Sequence, residues 1–215
     1  SLDRANHVYT VAGERKRSNT DILQDMGLID PRWYTDRARI RGDRVHSACA
    51  LHDKGILRWE SLPPIEQALG EPIVPYVKSW VEFKDETGFV PVHVEEPLYN
   101  ELYDYCTTPD VHGYFPGKKG APVEEAIIDR KTGMVARWMG AAWGWVELQL
   151  GGCDEAAPRL KVKAFQARKL YAIELRPKGP ANLVPIVDPL AGKIFLNFAT
   201  AHKWGIERGY YKKES

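Results

Sequence analysis

Asp110 and the triplet Asp129-Arg130-Lys131 are the residues of this chain whose types and spacing could do chemistry. Asp110 follows Thr107-Thr108-Pro109, and Asp129 closes the apolar run Ile127-Ile128 two residues before Lys131. Two carboxylates brought together hold a hard divalent cation through oxygen ligands. Side chains on a strand alternate with period two, so Lys131 points to the same side as Asp129. Its ammonium can then orient an attacking water or offset charge developing on a phosphate. That layout is expected of a metal-dependent phosphodiesterase.

An acid-x-Lys triplet alone says little, and the chain has two more, Glu14-Arg15-Lys16 and Glu82-Phe83-Lys84. The first falls in a predicted hairpin turn. The second falls on an amphipathic helix, where residues two apart face different ways. Only Asp129-Arg130-Lys131 ends an apolar strand that follows another strand bearing an acid.

The elements that must position these residues are legible in outline. His7 to Val11 and Arg15 to Ser18 read as a hairpin, after which Ser18 or Asn19 caps a short helix ended by Gly27. Asp30-Pro31 opens a long helix to about Lys54, and Pro72 opens another to Gly88. Val90 to Tyr99, Tyr105 to Phe115 and Val123 to Thr132 read as strands, with a Gly/Pro loop between the last two. Trp138 to about Cys153 reads as a helix. Arg168 to Leu175 and Asn182 to Val187 form a second hairpin, and a final helix runs from Asp188-Pro189 to about Arg208. This order predicts a mixed α/β or α+β core with a mainly helical N-terminal part, residues 1–88, and a sheet core in 89–215.

With 215 residues, 44% of them apolar, the chain can bury a sizeable core as a single domain. The net charge is only +1, so any phosphate-binding surface must be a local patch. The three cysteines, Cys49, Cys106 and Cys153, are scattered without a C-x-x-C pair. That argues against structural zinc, an iron–sulfur cluster and a disulfide scaffold. The absence of a membrane-length apolar run and of a signal-peptide core sets the expectation of a cytoplasmic protein without membrane attachment.

In order and spacing these segments resemble the PD-(D/E)XK nuclease superfamily, in particular its RecB-like and phage-type exonuclease branch. Pro109-Asp110 and Asp129-Arg130-Lys131 match the signature literally. Gly42-Asp43-Arg44-Val45-His46 resembles the G-x-x-x-H helix element, and Glu95-Glu96-Pro97-Leu98-Tyr99 the Glu-bearing strand before the PD segment. Leu148-Gln149-Leu150 and Cys153 stand where a Q-x-x-x-Y helix motif follows the lysine. The similarity runs from about His7 to the last helix.

The resemblance implies a restriction-endonuclease-like fold, a central mixed sheet flanked by helices, and Mg²⁺- or Mn²⁺-dependent hydrolysis of DNA. Asp110, Asp129 and His46 would hold metal, with the Arg130 carbonyl a further ligand, and Glu95, or Glu96 if the register slips by one, would be a catalytic acid that makes a second metal site possible. Lys131 would position the water, and Gln149 would contact the lysine or the nucleic-acid backbone. The reading includes an exonuclease on single-stranded or frayed ends in recombination, repair or phage DNA processing. A flap or branch endonuclease is the alternative, as is a DNA-binding partner subunit with weak catalysis. A homo-oligomer or a recombination or replication partner stays open. Departures are Cys153 in place of tyrosine and a charged Arg130 where an apolar residue is common. The latter suggests a wetter strand face.

Further residues carry two readings each. Arg37, Arg41 and Arg44 form one helical stripe, which either grips phosphates or is a solvated face paired with Asp36 and Asp43. Lys118-Lys119 lies in a Gly/Pro loop and either contacts a backbone or is plain surface. Trp138 and Trp145 either stack unpaired bases or pack in the core. His93 and His112 sit on strands beside the site.

Overall fold

The computed structural model describes residues 2–3, 8–30, 32, 35–117, 121–135, 142–161 and 168–211. It is a mixed α/β structure, as the sequence pattern implies. The chain opens with β1 (Leu2–Asp3), β2 (Val8–Val11) and β3 (Glu14–Ser18), and Ser18 caps α1 (Asn19–Asp25) through a capping box with Asp21. Thr35 caps α2 (Asp36–Asp53). A 3-10 turn (Trp59–Ser61) leads into α3 (Leu62–Leu69), and α4 (Val74–Thr87) ends on Gly88 at positive φ. Then come β4 (Val90–Val94), β5 (Leu98–Asn100), β6 (Tyr105–Thr107), β7 (Val111–Phe115) and β8 (Glu124–Lys131). The order closes with α5 (Gly144–Ala156), β9 (Lys169–Glu174), β10 (Asn182–Pro185) and α6 (Ala191–Glu207).

The strands form two mixed sheets, ordered β1-β2-β3-β6-β5 and β10-β9-β8-β7-β4. In the second sheet β4, β7 and β8 pair antiparallel, while β8 and β9 pair parallel across a connection that contains α5. Two runs that read as single strands are each divided between the sheets. The chain leaves one sheet for the other at Glu95-Glu96-Pro97 and again at Thr108-Pro109-Asp110. Each break contains a proline, which has no N–H to give to a ladder.

Helix boundaries also shift from the sequence pattern. The long helix starts at Asp36, not at Asp30, whose carboxylate instead accepts from the Arg32 backbone and guanidinium. α5 starts at Gly144, because Trp143 takes an extended conformation as its cap and Ala142 forms an isolated bridge. Trp138 lies outside the described residues, as do His7 and Pro31. α3 has no counterpart in the sequence reading. Pro63-Pro64 looks like a breaker, yet prolines in a first turn lose no helical hydrogen bond.

β8 is buried on both faces, so alternate residues enter different cores. Ala126 and Ile128 pack with Val45 and Cys49 of α2 and with Val77 and Trp80 of α4. Ile127 packs with Val146 and Leu150 of α5. A third cluster joins α1, Tyr105 and Phe195 of α6 to the other side of α5. α5 therefore touches both sheets and carries residues of one face toward the end of β8.

Gly151 and Gly152 let α6 approach α5 closely. A Cβ at Gly151 would lie 2.6 Å from the backbone of Ala191 and of Gly192. Gly151→Ala is expected to destabilise by ~1–3 kcal/mol through overpacking, despite the better helix propensity of alanine. Gly133→Ala, where a Cβ meets open space, is expected to stay within ~0.5 kcal/mol. Urea denaturation of both variants checks the contrast.

Candidate active site

The two chain crossings between the sheets lie against each other, since the Glu95 N–H donates to the Asp110 carbonyl at 3.2 Å. This brings two acidic residues from different strand ends together. His46 reaches them from α2, its Nδ1 standing 3.2 Å from Asp110 Oδ1. Donor atoms of His46, Glu95 and Asp110 all lie within 4.8 Å of one another. Glu95, not Glu96, occupies this position, and Glu96 faces outward to pair with His93 Nδ1 at 2.8 Å. Glu95 stands past the end of β4 with φ of 53°, a left-handed backbone that is costly for a residue other than glycine. The sequence placed it within a strand, and the turn between the sheets is the reason it is not.

Asp110 has a second task. Its Oδ2 accepts the Arg130 backbone N–H at 2.6 Å. Burial opposes the charge on Asp110, but His46 together with Arg130 and Lys131 outweighs it and holds the carboxyl well below the usual carboxylate range. Burial likewise opposes the charge on His46, and the facing Asp110 carboxylate more than offsets it, so its pKa is raised.

Asp129 and Lys131 project from the other face of β8, toward α5. Lys131 Nζ lies 2.8 Å from Asp129 Oδ2 and donates to Gln149 Oε1 at 3.2 Å. The ammonium also sits 5.3 Å from the centre of the Trp145 ring, a cation–π distance. Trp145 and Gln149 are one helical turn apart on α5, so a single helix face holds the lysine. Burial pushes the Asp129 carboxyl up, Lys131 pulls against that, and the charge of Asp110 adds to the rise. Asp129 Oδ2 is buried without a well-directed hydrogen bond. Cys153, where the motif usually has tyrosine, is buried beside Thr107 Oγ1 and Asn19 Nδ2.

The Arg130 side chain points to the opposite face and corrects the expectation of a wetter strand. Its guanidinium is fully buried and donates to Asp53 Oδ2 at 3.0 Å, to the Asp110 carbonyl at 3.2 Å and to Glu95 Oε1 at 3.4 Å. Asp53 in turn receives Lys84 Nζ at 2.6 Å and Trp80 Nε1 at 2.9 Å. Lys84, from one of the two uninformative triplets, is thus tied to the layer beneath the site. Sequence reasoning missed Asp53, although it lies seven residues after His46 on the same face of α2.

The arginine stripe also differs from the sequence pattern. Arg37 and Arg41 both pair with Glu71, Arg41 at 2.9 Å, and Arg41 reaches the Thr132 carbonyl at 3.4 Å. It is Arg39 that lies near Asp36 and Asp43. The α3–α4 junction brings Glu71 under the stripe, while Arg44 remains exposed. His112 is buried and bonded to Glu125 at 2.8 Å. Lys118 and Lys119 lie outside the described residues.

The donor set of one imidazole and clustered carboxylates fits a divalent cation. The Arg130 carbonyl shares that edge of β8. A strand residue's N–H and C=O point the same way, and the Arg130 N–H points to Asp110. Among the described residues no helix is long and apolar enough to cross a membrane. Fold and site together define a mixed α/β protein with a clustered acid–imidazole site next to an Asp–Lys pair.

No protein-family model and no curated protein matches the chain. Among solved structures it is similar to the crystal structure of a "putative exonuclease" from Eubacterium rectale. The two are 11% identical with a TM-score of 0.45, over 94% of this chain and 79% of the other.

The opposite shifts of the two aspartates generate a contrast in metal-free stability. An acid whose folded pKa is depressed contributes stability above its unfolded value, lost as pH falls; Asp110 is of this kind. An acid whose folded pKa is raised costs stability once pH rises above its unfolded value; Asp129 is of this kind. At neutral pH in EDTA, Asp110→Ala is expected to destabilise by about 1–3 kcal/mol, because it also strips the acceptor from a buried N–H. Asp129→Asn is expected to raise the urea midpoint, and to lose that advantage as the pH approaches 4, near the ordinary aspartate value.

Proposed function

We propose that this chain is a metal-dependent deoxyribonuclease, a single nuclease domain that hydrolyses phosphodiester bonds at single-stranded or frayed DNA ends. The observation that carries the reading is the convergence of His46, Glu95 and Asp110 beside the Asp129–Lys131 pair. His46, Glu95 and Asp110 would hold Mg²⁺ or Mn²⁺, with Asp129 and the Arg130 carbonyl completing the donors. When bound, the ion supplies positive charge that lowers the pKa of a water and neutralises a phosphate.

The chain's own residues account for the rest. Lys131 orients the attacking water and steadies negative charge on the phosphate oxygens. Gln149 and Trp145 fix the direction of that ammonium from α5. Asp129 holds Lys131 in place before substrate arrives, and its raised pKa supports a role beside a cation that would favour the carboxylate. The near-neutral net charge supports reliance on a local patch, or on a partner protein in recombination or repair, for affinity.

End-labelled linear and circular DNA, single- and double-stranded, incubated with Mg²⁺, Mn²⁺, Ca²⁺ or EDTA tests the proposal. Mn²⁺ is expected to support cleavage at least as well as Mg²⁺, because imidazole is a softer ligand than carboxylate. EDTA should abolish cleavage, and closed duplex circles should be spared. Lys131→Ala should cut turnover by about 10²-fold or more, while Lys16→Ala, which breaks a pair with Glu14 and Asp104, should remain near wild type. Full activity in EDTA, or wild-type turnover by Lys131→Ala, overturns the reading. DNA binding without cleavage under any metal points instead to a partner subunit.

A further inference from the structure

We propose that the Arg130 side chain is a positioning residue for the cation ligands, fixed in turn by Asp53; the inference rests on the metal-site reading above. The middle residue of Asp129-Arg130-Lys131 must face away from its neighbours, into the core against α2 and α4. An aliphatic side chain would fill that place without penalty. A buried guanidinium costs several kcal/mol of desolvation unless its donors are satisfied, so its use there calls for a reason.

Its contacts supply one. One Nη2 touches both crossings between the sheets, the Glu95 carboxylate at 3.4 Å and the Asp110 carbonyl at 3.2 Å. The other nitrogen, Nη1, bonds Asp53 at 3.0 Å, and the guanidinium carbon lies 5.2 Å from the centre of the Trp80 ring. Asp53 is itself immobilised, with Trp80 Nε1 donating to both of its oxygens and Lys84 to one. A planar fork of fixed donors suits such bridging, and an ammonium cannot reproduce it. Glu95 needs the restraint most, since it holds a left-handed backbone that only over-determined surroundings maintain. A direct path of contacts thus runs from α4 through Asp53 and Arg130 to the Glu95 carboxylate and the Asp110 backbone carbonyl, at two of the three clustered residues.

Groups that orient ligands typically change metal affinity by about 10- to 100-fold when removed. Mn²⁺ titration of the full chain without DNA, with free Mn²⁺ read by electron paramagnetic resonance, measures this apart from cleavage. Arg130→Met is expected to weaken Mn²⁺ binding by about 10-fold or more. Arg130→Lys should recover only part of the loss, and Asp53→Asn should shift binding in the same direction. The double variant Arg130→Met/Asp53→Asn should bind no worse than Arg130→Met, because both act along one path. Cleavage by each folded variant should shift to higher Mn²⁺ concentration by more than its saturated rate falls.

A purely structural role would lower the urea midpoint and leave Mn²⁺ affinity unmoved. Wild-type affinity in folded Arg130→Lys and Asp53→Asn therefore overturns the proposal, even if Arg130→Met does not fold. If the wild-type chain binds no Mn²⁺ that Asp110→Ala removes, the metal-site reading itself fails and this inference with it. Normal wild-type binding beside unaffected variants rejects the positioning role alone.

Discussion

The structure depends on how β8 is terminated. Continuing the β7–β8 register beyond Val111 opposite Ile128 would set Pro109 opposite Arg130. A proline offers no N–H to the Arg130 carbonyl, and the chain leaves the sheet there. A buried Arg130 N–H left without an acceptor would cost about 1–3 kcal/mol. The Asp110 carboxylate takes it instead, at 2.6 Å. The same carboxylate uses its other oxygen to meet His46. One side chain thus closes the ladder and presents charge at the strand end, so the site's geometry is tied to the geometry of the sheet.

Concentrating acids at such a point costs stability, and the structure meets that cost unevenly. Asp110 is over-compensated by His46, Arg130 and Lys131, whereas Asp129 is under-compensated and sits with its pKa raised. Burial that a partner offsets only in part lowers the stability of the folded chain. The core elsewhere is conventional. Aliphatic side chains fill both faces of β8, and each one buried contributes ~1.5–3 kcal/mol. That reserve is what lets a cluster of charges exist at the strand end.

Much of this was legible because strand periodicity is unforgiving. Asp129 and Lys131 had to share a face, the family resemblance implied a contact between Gln149 and the lysine or the nucleic-acid backbone, and the hairpin signals of β2–β3 and β9–β10 are local. The divided strands were not legible. Val90 to Tyr99 reads as one strand; Pro97 marks where it can break, but nothing local says that its two halves join different sheets. Glu95 therefore read as a strand residue. α3 was hidden by prolines whose first-turn placement depends on the preceding turn at Trp59–Ser61. The fate of the Arg37–Arg41 stripe depended on a glutamate thirty or so residues away in sequence, which no helical spacing rule reaches.

Arg130 shows how a motif's unspecified position can acquire meaning. In an acid-x-Lys triplet on a strand, alternation sends the middle side chain to the opposite core. An apolar residue there would make the two faces of β8 independent. With arginine the faces are joined: Asp129 and Lys131 answer to α5, Arg130 answers to α2 and α4 and reaches the Asp110 carbonyl, and the charges of both faces act on the Asp110 carboxyl. α2 supplies His46 to the front of the cluster and Asp53 to the residue that braces its back. A shift of α2 along its axis would therefore move His46 against Asp110 and, at the same time, Asp53 against Arg130. A shift of α5 would move Lys131's supports alone. The contacts that hold the clustered imidazole and acids are thus separate from those that hold Lys131, with β8 as the shared boundary.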